Sequence, residues 1–414
     1  MKQVPSEEKS VQPMGWQSVA ALFLVVSIVE SLAMGHLFSF LPLLLSGMGV
    51  PQAELIGKTG RLSSLMFLLG LPLVPFWGVW ADRYSRGAVI ARSAYVEAAV
   101  FVVLCTAVTP GQLGAGMLLV GLQLGNTGVM LSALRQVTPP ERVGLALSLV
   151  QLGSPIGTAI GPALGGYLMD YTGITLRGLF VIDAFLSLAA GLLVTFVYRE
   201  ARPSKIPEGS IFRAALGSVG SVFAEPAARM LFAIMACFLV GRSMINPLLA
   251  LVVQRVHPAA VGLPSAIGMV AGTAATLGTL AAPLAGLAGD RFGHRVVLAG
   301  GAVCGAVAIA GMEWVSSVGE LAALSALLGA AGACVVSMVY ALLALRLPEE
   351  RRSAVLNLAF VPFYVSGIIG PNLSALLARN SLDPIFRVGA LFAISAFALT
   401  VLGARALRAE GPAS

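Results

Sequence analysis

Apolar residues run along this chain in long stretches separated by short polar turns, from Ser18 to Ala404. An α-helix needs about 20 apolar residues to cross a bilayer core of roughly 30 Å, and the stretches have that length. The pattern predicts spans over Ser18–Leu41, Gly60–Trp80, Ala88–Val108, Gly114–Leu134, Gly144–Met169 and Thr175–Tyr198. A second set follows over Met230–Val253, Leu263–Ala288, Val296–Val315, Leu321–Leu345, Ser353–Leu377 and Pro384–Ala404. The fold class expected is all-α integral membrane, with twelve transmembrane helices in two pseudosymmetric six-helix bundles. Residues 1–198 form the first bundle, 199–227 a cytoplasmic linker and 228–414 the second. The linker carries Pro203, Lys205, Pro207, Glu208 and Gly209, and its segment Ile211–Leu216 fits either a short amphipathic helix or a plain tether.

Composition agrees with that pattern. Charged residues are 11% and apolar residues 57% of the 414, and mean hydropathy is +0.90, which excludes a water-soluble globule. The apolar run after Gly15 is too long for a signal peptide's hydrophobic region and is read as the first span. Cys105, Cys237, Cys304 and Cys334 lie in apolar runs without paired spacing, so neither a disulfide framework nor a metal site follows.

The net charge of +7 would suggest nucleic acid in a soluble protein; here topology explains it, and no nucleic acid is expected. With the N-terminus inside, only Lys58, Arg61, Arg177, Arg255, Arg379 and Arg387 of the 26 basic residues fall outside, and Arg242 falls within a span. The positive-inside rule then puts both termini in the cytoplasm and the chain in a plasma membrane; compact loops suggest a bacterial inner membrane.

One charged turn occurs twice at equivalent positions. The first is Gly78-Val-Trp-Ala-Asp82-Arg83-Tyr-Ser-Arg86-Gly87 and the second Gly286-Leu-Ala-Gly-Asp290-Arg291-Phe-Gly293-His294-Arg295. The fifth span reads Gly157-Thr-Ala-Ile-Gly161-Pro162-Ala-Leu-Gly165-Gly166. On these three segments the chain resembles the major facilitator superfamily over nearly its whole length, and the fifth-span segment resembles the motif of its drug and metabolite antiporters. Ser85, Gly87 and Ser148 depart from those patterns, and Gly121 stands where the antiporters present a fourth-span arginine.

The resemblance implies that Asp82, with Arg83 and Arg86, latches the end of span 2 to a neighbouring helix, and that Asp290, with Arg291 and Arg295, latches onto span 5. A carboxylate at a helix N-terminus is the physical basis; a topogenic basic loop is the plainer alternative. Gly157, Gly161 and Gly165 recur at i, i+4 and i+8, which permits close approach of a neighbour. The expected neighbour is span 8, through Gly268, Gly272 and Thr276.

Ionisable groups inside spans cost about 2.5–3.5 kcal/mol each on insertion scales and need a reason. They are Glu30, His36, Glu97, Asp183 and Arg242. The repeat places Arg242 opposite Met34, one turn from Glu30, so a Glu30/Arg242 site across a central cavity is expected, with a buried structural ion pair as the alternative. Asn126, Asn246, Tyr364, Gln151 and Asn357 are further candidates to line it, and Gln123, with Asn126, gives the fourth span a hydrogen-bonding group that cannot replace a fixed charge. His36 is expected at the interface; Asp183 is a further candidate for the substrate or proton site, although the resemblance implies that it and Glu97 lie in peripheral helices, where a structural partner is the alternative.

The reading is a secondary transporter working by alternating access, with proton-coupled export of small amphipathic organic molecules. One alternative is export of an anionic metabolite, metallophore or lysolipid clamped by Arg242. Another is a non-transporting membrane sensor or lipid-binding scaffold. No phosphate-binding loop or catalytic constellation stands in the sequence, so an enzyme is not expected. No cofactor beyond a proton gradient is implied; the partners are a small-molecule substrate and the bilayer, and the chain is expected to be monomeric.

Overall fold

The computed structural model describes residues 14–200, 225–346, 358, 360–377 and 381–403, and every regular element among them is a helix. Before residue 200 these are α1 (Trp16–Gly47), α2 (Gln52–Arg83), α3 (Arg86–Thr106), α4 (Pro110–Gln123), α5 (Asn126–Val137), α6 (Val143–Gln151), α7 (Gly153–Tyr171) and α8 (Leu176–Val197). After residue 225 follow α9 (Pro226–Ser243), α10 (Leu249–Val256), α11 (Leu263–Phe292), α12 (His294–Gly311), α13 (Val318–Arg346), α14 (Val361–Leu377) and α15 (Asp383–Leu402). The expected linker falls largely on 201–224 and Asn357 on 347–357, both outside the described residues; the Asp82 side chain and the surroundings of Gly78 lie outside them too.

Among the described residues the helices group into twelve spans, three of them broken along their length, each break with a local cause. Between α4 and α5, Gly125 takes φ +96°, a left-handed conformation that a side chain resists and that ends the helix. Between α6 and α7, Pro155 has no N–H to offer the carbonyl of Gln151. Between α9 and α10, Pro247 does the same to Ser243, and residues Asn246–Leu248 tighten into a 3₁₀ turn. Broken helices free backbone carbonyls inside the membrane, where each needs a donor.

Within each half the helices pack as bundles, α3 on α8 and α1 on α7 in the first, α12 on α13 and α15 in the second. The halves meet chiefly along two seams, α7 with α11 and α2 with α14, and also where the broken turn of span 7 packs on α1 and α2. Both seams lie toward the end remote from the charged turns. On the first seam, a Cβ at Gly268 would stand 2.9 Å from the Pro162 carbonyl carbon, and one at Gly166 2.8 Å from that of Pro264. On the second, Phe67 packs edge-on against Phe363 and Tyr364, with ring centroids 5.7 and 5.9 Å apart.

At the charged-turn end, α5 and α6 pack on helices of their own half. Leu145 and Leu152 near that end of the first half, and Leu284 and Leu287 in the second, are exposed. Among the described residues, the molecule is closed at the far end and splayed at the charged-turn end.

The span-5 glycines are placed differently from the sequence expectation. Gly157, Gly161 and Gly165 face α1: Cβ atoms there would stand 2.8 Å from the Leu32 nitrogen, 2.5 Å from the Leu32 carbonyl oxygen and 2.6 Å from the His36 ring. The face turned to α11 is the adjacent one, carrying Ala159, Pro162, Ala163 and Gly166. Both faces of α7 are made of small residues, so this helix is clamped between its own bundle and the opposite one.

Candidate functional site

The break at Gly125 organises a buried polar network in the first half. It frees the carbonyls of Gln123 and Leu124, and α3 supplies their donors. Arg92 Nη2 donates to Gln123 O at 3.2 Å and to Leu124 O at 3.4 Å, while Ser93 Oγ donates to Gln123 O at 2.9 Å. The Arg92 guanidinium carbon lies over Trp77, 3.5 Å from the ring centroid, a cation–π contact that holds the charge inside the bundle. Trp77 in turn packs under Gly125, where a Cβ would stand 3.0 Å from its ring.

Glu30, halfway along α1, faces this charge. Asn126 at the start of α5 donates its Nδ2 to Glu30 Oε2 at 2.6 Å. The other oxygen, Oε1, is buried without a protein partner. Arg92 is the cation whose field acts on Glu30. The expected partner Arg242 is elsewhere, inside the second half, and the Glu30/Arg242 pair is corrected accordingly. Repeat symmetry matched the depth of the two residues in the membrane, but each is turned into its own bundle.

The network continues along α3. Glu97, fully buried, accepts from Gln123 Nε2 and from Ser187 Oγ of α8, both at 2.9 Å. The charges of Glu30 and Asp183 both act on it. Asp183 is also fully buried and lies 2.9 Å from His36 Nδ1, while His36 Nε2 lies 2.7 Å from the Gly161 carbonyl. A carbonyl only accepts, so Nε2 carries a proton. Nδ1 then either donates to an ionised Asp183 or accepts from a protonated one, and the pair is neutral overall in both arrangements, which lowers the cost of burying it. His36, expected at the interface, is a core residue 2% exposed.

The second half carries the other expected groups. Asn246 is exposed on the broken turn of span 7, which packs toward α1 and α2. The orphan carbonyl of Met244 receives Ser374 Oγ at 2.7 Å. Tyr364 is buried in the α2–α14 seam rather than lining an open space, and Gln151 is exposed at the break between α6 and α7.

The charged turns hold other partners than expected. Asp290 is 76% exposed and its carboxylate lies 3.4 Å from His294 Nε2, so in this state it latches nothing on span 5. Arg295 Nη2 reaches the Thr400 carbonyl at 3.5 Å, and the guanidinium of Arg291 lies 5.3 Å from the centroid of the Phe292 ring. In the first turn Arg83 lies 5.8 Å from the centroid of the Tyr84 ring. Glu200, just after α8, accepts from the backbone of Arg86 at 2.8 Å and Gly87 at 3.2 Å and from Ser85 Oγ at 2.7 Å. A carboxylate does sit at a helix N-terminus here, but at α3 and from within the same half. Arg86 also donates to Gln136.

A comparable contact joins the two halves at the far end. Asp170, at the end of α7, accepts from the backbone N–H of Ser265 in the first turn of α11 at 2.8 Å. Asp170 stands one residue past the span 5 expected from the sequence and is not among the candidates named there; its place four residues after Gly166, one turn along α7, was the available signal.

A bundle whose halves are sealed at one end and parted at the other, with ionisable groups buried at mid-depth, is built to expose its interior to one side of a membrane at a time. It is a multi-pass membrane transporter, not an enzyme. The chain belongs to the Major Facilitator Superfamily, whose family model matches residues 22–257 and 231–414. It is 26% identical over 370 residues to the multidrug resistance protein MdtG of Citrobacter koseri, covering 89% of this chain and 90% of that one. It is also 26% identical over 341 residues to the uncharacterized transporter YuxJ of Bacillus subtilis, covering 82% and 84%. Among solved structures, the nucleoside transporter NupG (D323A mutant) superposes with a TM-score of 0.78 at 13% identity, over 94% of this chain and 100% of that one. A bacterial homologue of the human lysosomal transporter Spinster, inward-facing and occupied, gives 0.76 at 15%, over 95% and 98%.

Proposed function

We propose that this transporter exports small amphipathic organic molecules from a bacterial cell in exchange for protons, as a monomer with both termini cytoplasmic. Under that orientation the charged-turn end is the cytoplasmic one, and the structure described is the inward-open state, closed toward the outside at the α7–α11 and α2–α14 seams. The similarity to proteins named for multidrug resistance supports the substrate class.

The observation that carries the coupling is Glu30. It is a carboxylate at mid-depth with one oxygen held by Asn126 and the other without a protein partner, beside the fixed charge of Arg92. The free oxygen is the one that takes and gives the proton, and the Asn126 bond ties its state to the broken helix α4–α5. Arg92 supplies from span 3 the positive charge that the antiporters present from span 4, where this chain has Gly121.

The test is transport in liposomes under an imposed pH gradient, with a panel of lipophilic cations and neutral amphipathic dyes. Wild type is expected to accumulate at least one of them against its gradient, and Glu30→Gln to lose gradient-driven accumulation while keeping downhill exchange. Accumulation that is unchanged in Glu30→Gln would assign the proton to another group.

A further inference from the structure

The second half carries a charged group that the coupling reading leaves without a task. Arg242 lies near the middle of span 7, half-buried, and has no hydrogen-bond or ion-pair partner among the described residues. Its guanidinium sits in a notch of α13, where a Cβ added at Gly332 would stand 2.9 Å from Nη1. Beside it is a cavity of about 30 Å³ of water-accessible volume, lined by Arg242, Asn246, Ser325, Gly329, Leu328 and Met312 among others. Ser325 is 4% exposed, and its Oγ is buried without a protein partner. One cation, one hydroxyl and the Asn246 amide thus share a pocket whose remaining walls are aliphatic.

An unpaired guanidinium at mid-membrane is expensive, and a buried hydroxyl donor without an acceptor adds to the cost. One ligand settles both, an anion that accepts from Arg242 and from Ser325. The space beside the guanidinium is enough for a small ligand group, because one water-sized sphere needs about 10–15 Å³. Its charge is bounded as well, because a single guanidinium would leave the second charge of a dianion uncompensated.

We infer that the Arg242–Ser325–Asn246 pocket binds one small monovalent anion, either a halide or the carboxylate end of a larger molecule. Bound there, the anion neutralises span 7 next to its broken turn and fixes α9 against α13. This site is separate from Glu30 and does not rest on the coupling reading.

Binding is measured on the purified full chain in detergent, without transport, so that its failure and that of the proton reading are distinguishable. Equilibrium binding of radiolabelled chloride is followed at constant ionic strength, with a bulky sulfonate as the replacing anion and acetate as competitor. Thermal unfolding is recorded in parallel, since a ligand of the folded state raises the midpoint with its concentration. Wild type is expected to bind one chloride per chain saturably. Arg242→Gln is expected to abolish that binding, and Ser325→Ala to weaken it roughly threefold to tenfold, the loss of one hydrogen bond.

Gly332→Ala, which pushes a methyl group against Nη1, should weaken it as well. Acetate displacing chloride at lower concentration than chloride itself assigns the pocket to a carboxylate end group. No saturable binding of either anion, or binding that persists in folded Arg242→Gln, overturns the proposal. Should Arg242→Gln fail to fold, unchanged affinity in both Ser325→Ala and Gly332→Ala overturns it equally.

Discussion

At the scale of single residues, Arg92 does two things at once. It donates to backbone carbonyls that the Gly125 break has freed, and it places a cation beside Glu30. Arg92→Leu removes the donor from the Leu124 carbonyl and leaves Glu30 without its nearest positive charge. The expected result is a loss of about 1–3 kcal/mol in stability, the cost of an unsatisfied buried group, together with loss of pH-driven transport. Arg92→Lys should recover transport in part only, because a compact ammonium cannot cover the Trp77 ring while reaching two carbonyls. Thermal unfolding and liposome transport read the two effects separately, and a stable, fully active Arg92→Leu would remove this residue from the site. Glu30, Glu97 and Asp183 were legible in the sequence because a carboxylate inside an apolar run has few explanations. Arg92 was not, since at six residues past Arg86 it passes for part of the basic flank. The pairing of His36 with Asp183 joins α1 to α8, and no local pattern announces it.

At the scale of elements, the spacing of apolar runs was enough to place twelve spans, and the small-residue stripe in span 5 was enough to mark it as a close-packing helix. Which neighbour meets which face was not legible, because both faces of α7 are made of small residues and periodicity alone does not name the partner. The structure assigns the Gly157–Gly161–Gly165 face to α1 and the Pro162–Gly166 face to α11. The two faces should therefore respond differently to substitution. Gly161→Val drives a side chain into α1 within one bundle, so it is expected to lower folding yield and thermal stability. Gly268→Val drives one into Pro162 across the seam, so the halves can separate to relieve it. It is expected to fold and to shift the population toward opening at the far end. Comparing unfolding midpoints with the solvent accessibility of a cysteine introduced at the buried Leu263, in the first turn of α11, separates the two; equal destabilisation without added accessibility in Gly268→Val would contradict the assignment.

At the scale of the whole molecule, alternating access requires each closed end to be held by contacts that the other state lacks. The charged turns, where the sequence places the latches, lie at the splayed end, and Asp290 faces solvent there. The far end is held by small-residue packing on the α7–α11 seam and by the Asp170 carboxylate at the first turn of α11, a contact of charge with helix dipole as well as a hydrogen bond. Such a contact is worth about 1–2 kcal/mol when charge and bond are both lost, which changes a two-state ratio by roughly 5- to 30-fold. Asp170→Ala should therefore populate the state open at the far end, and Asp170→Asn, which keeps an acceptor but not the charge, should do so less. Spin labels at the exposed positions Thr172 and Val261, in a background with the native cysteines replaced, report that separation; labels at Leu145 and Leu287 report the opposite end. The expected result is a longer Thr172–Val261 distance and a shorter Leu145–Leu287 distance, increasing together from wild type through Asp170→Asn to Asp170→Ala. A change at the far end with none at the charged-turn end would mean that Asp170 anchors a local helix start and that the two ends are not coupled through rocking of rigid bundles.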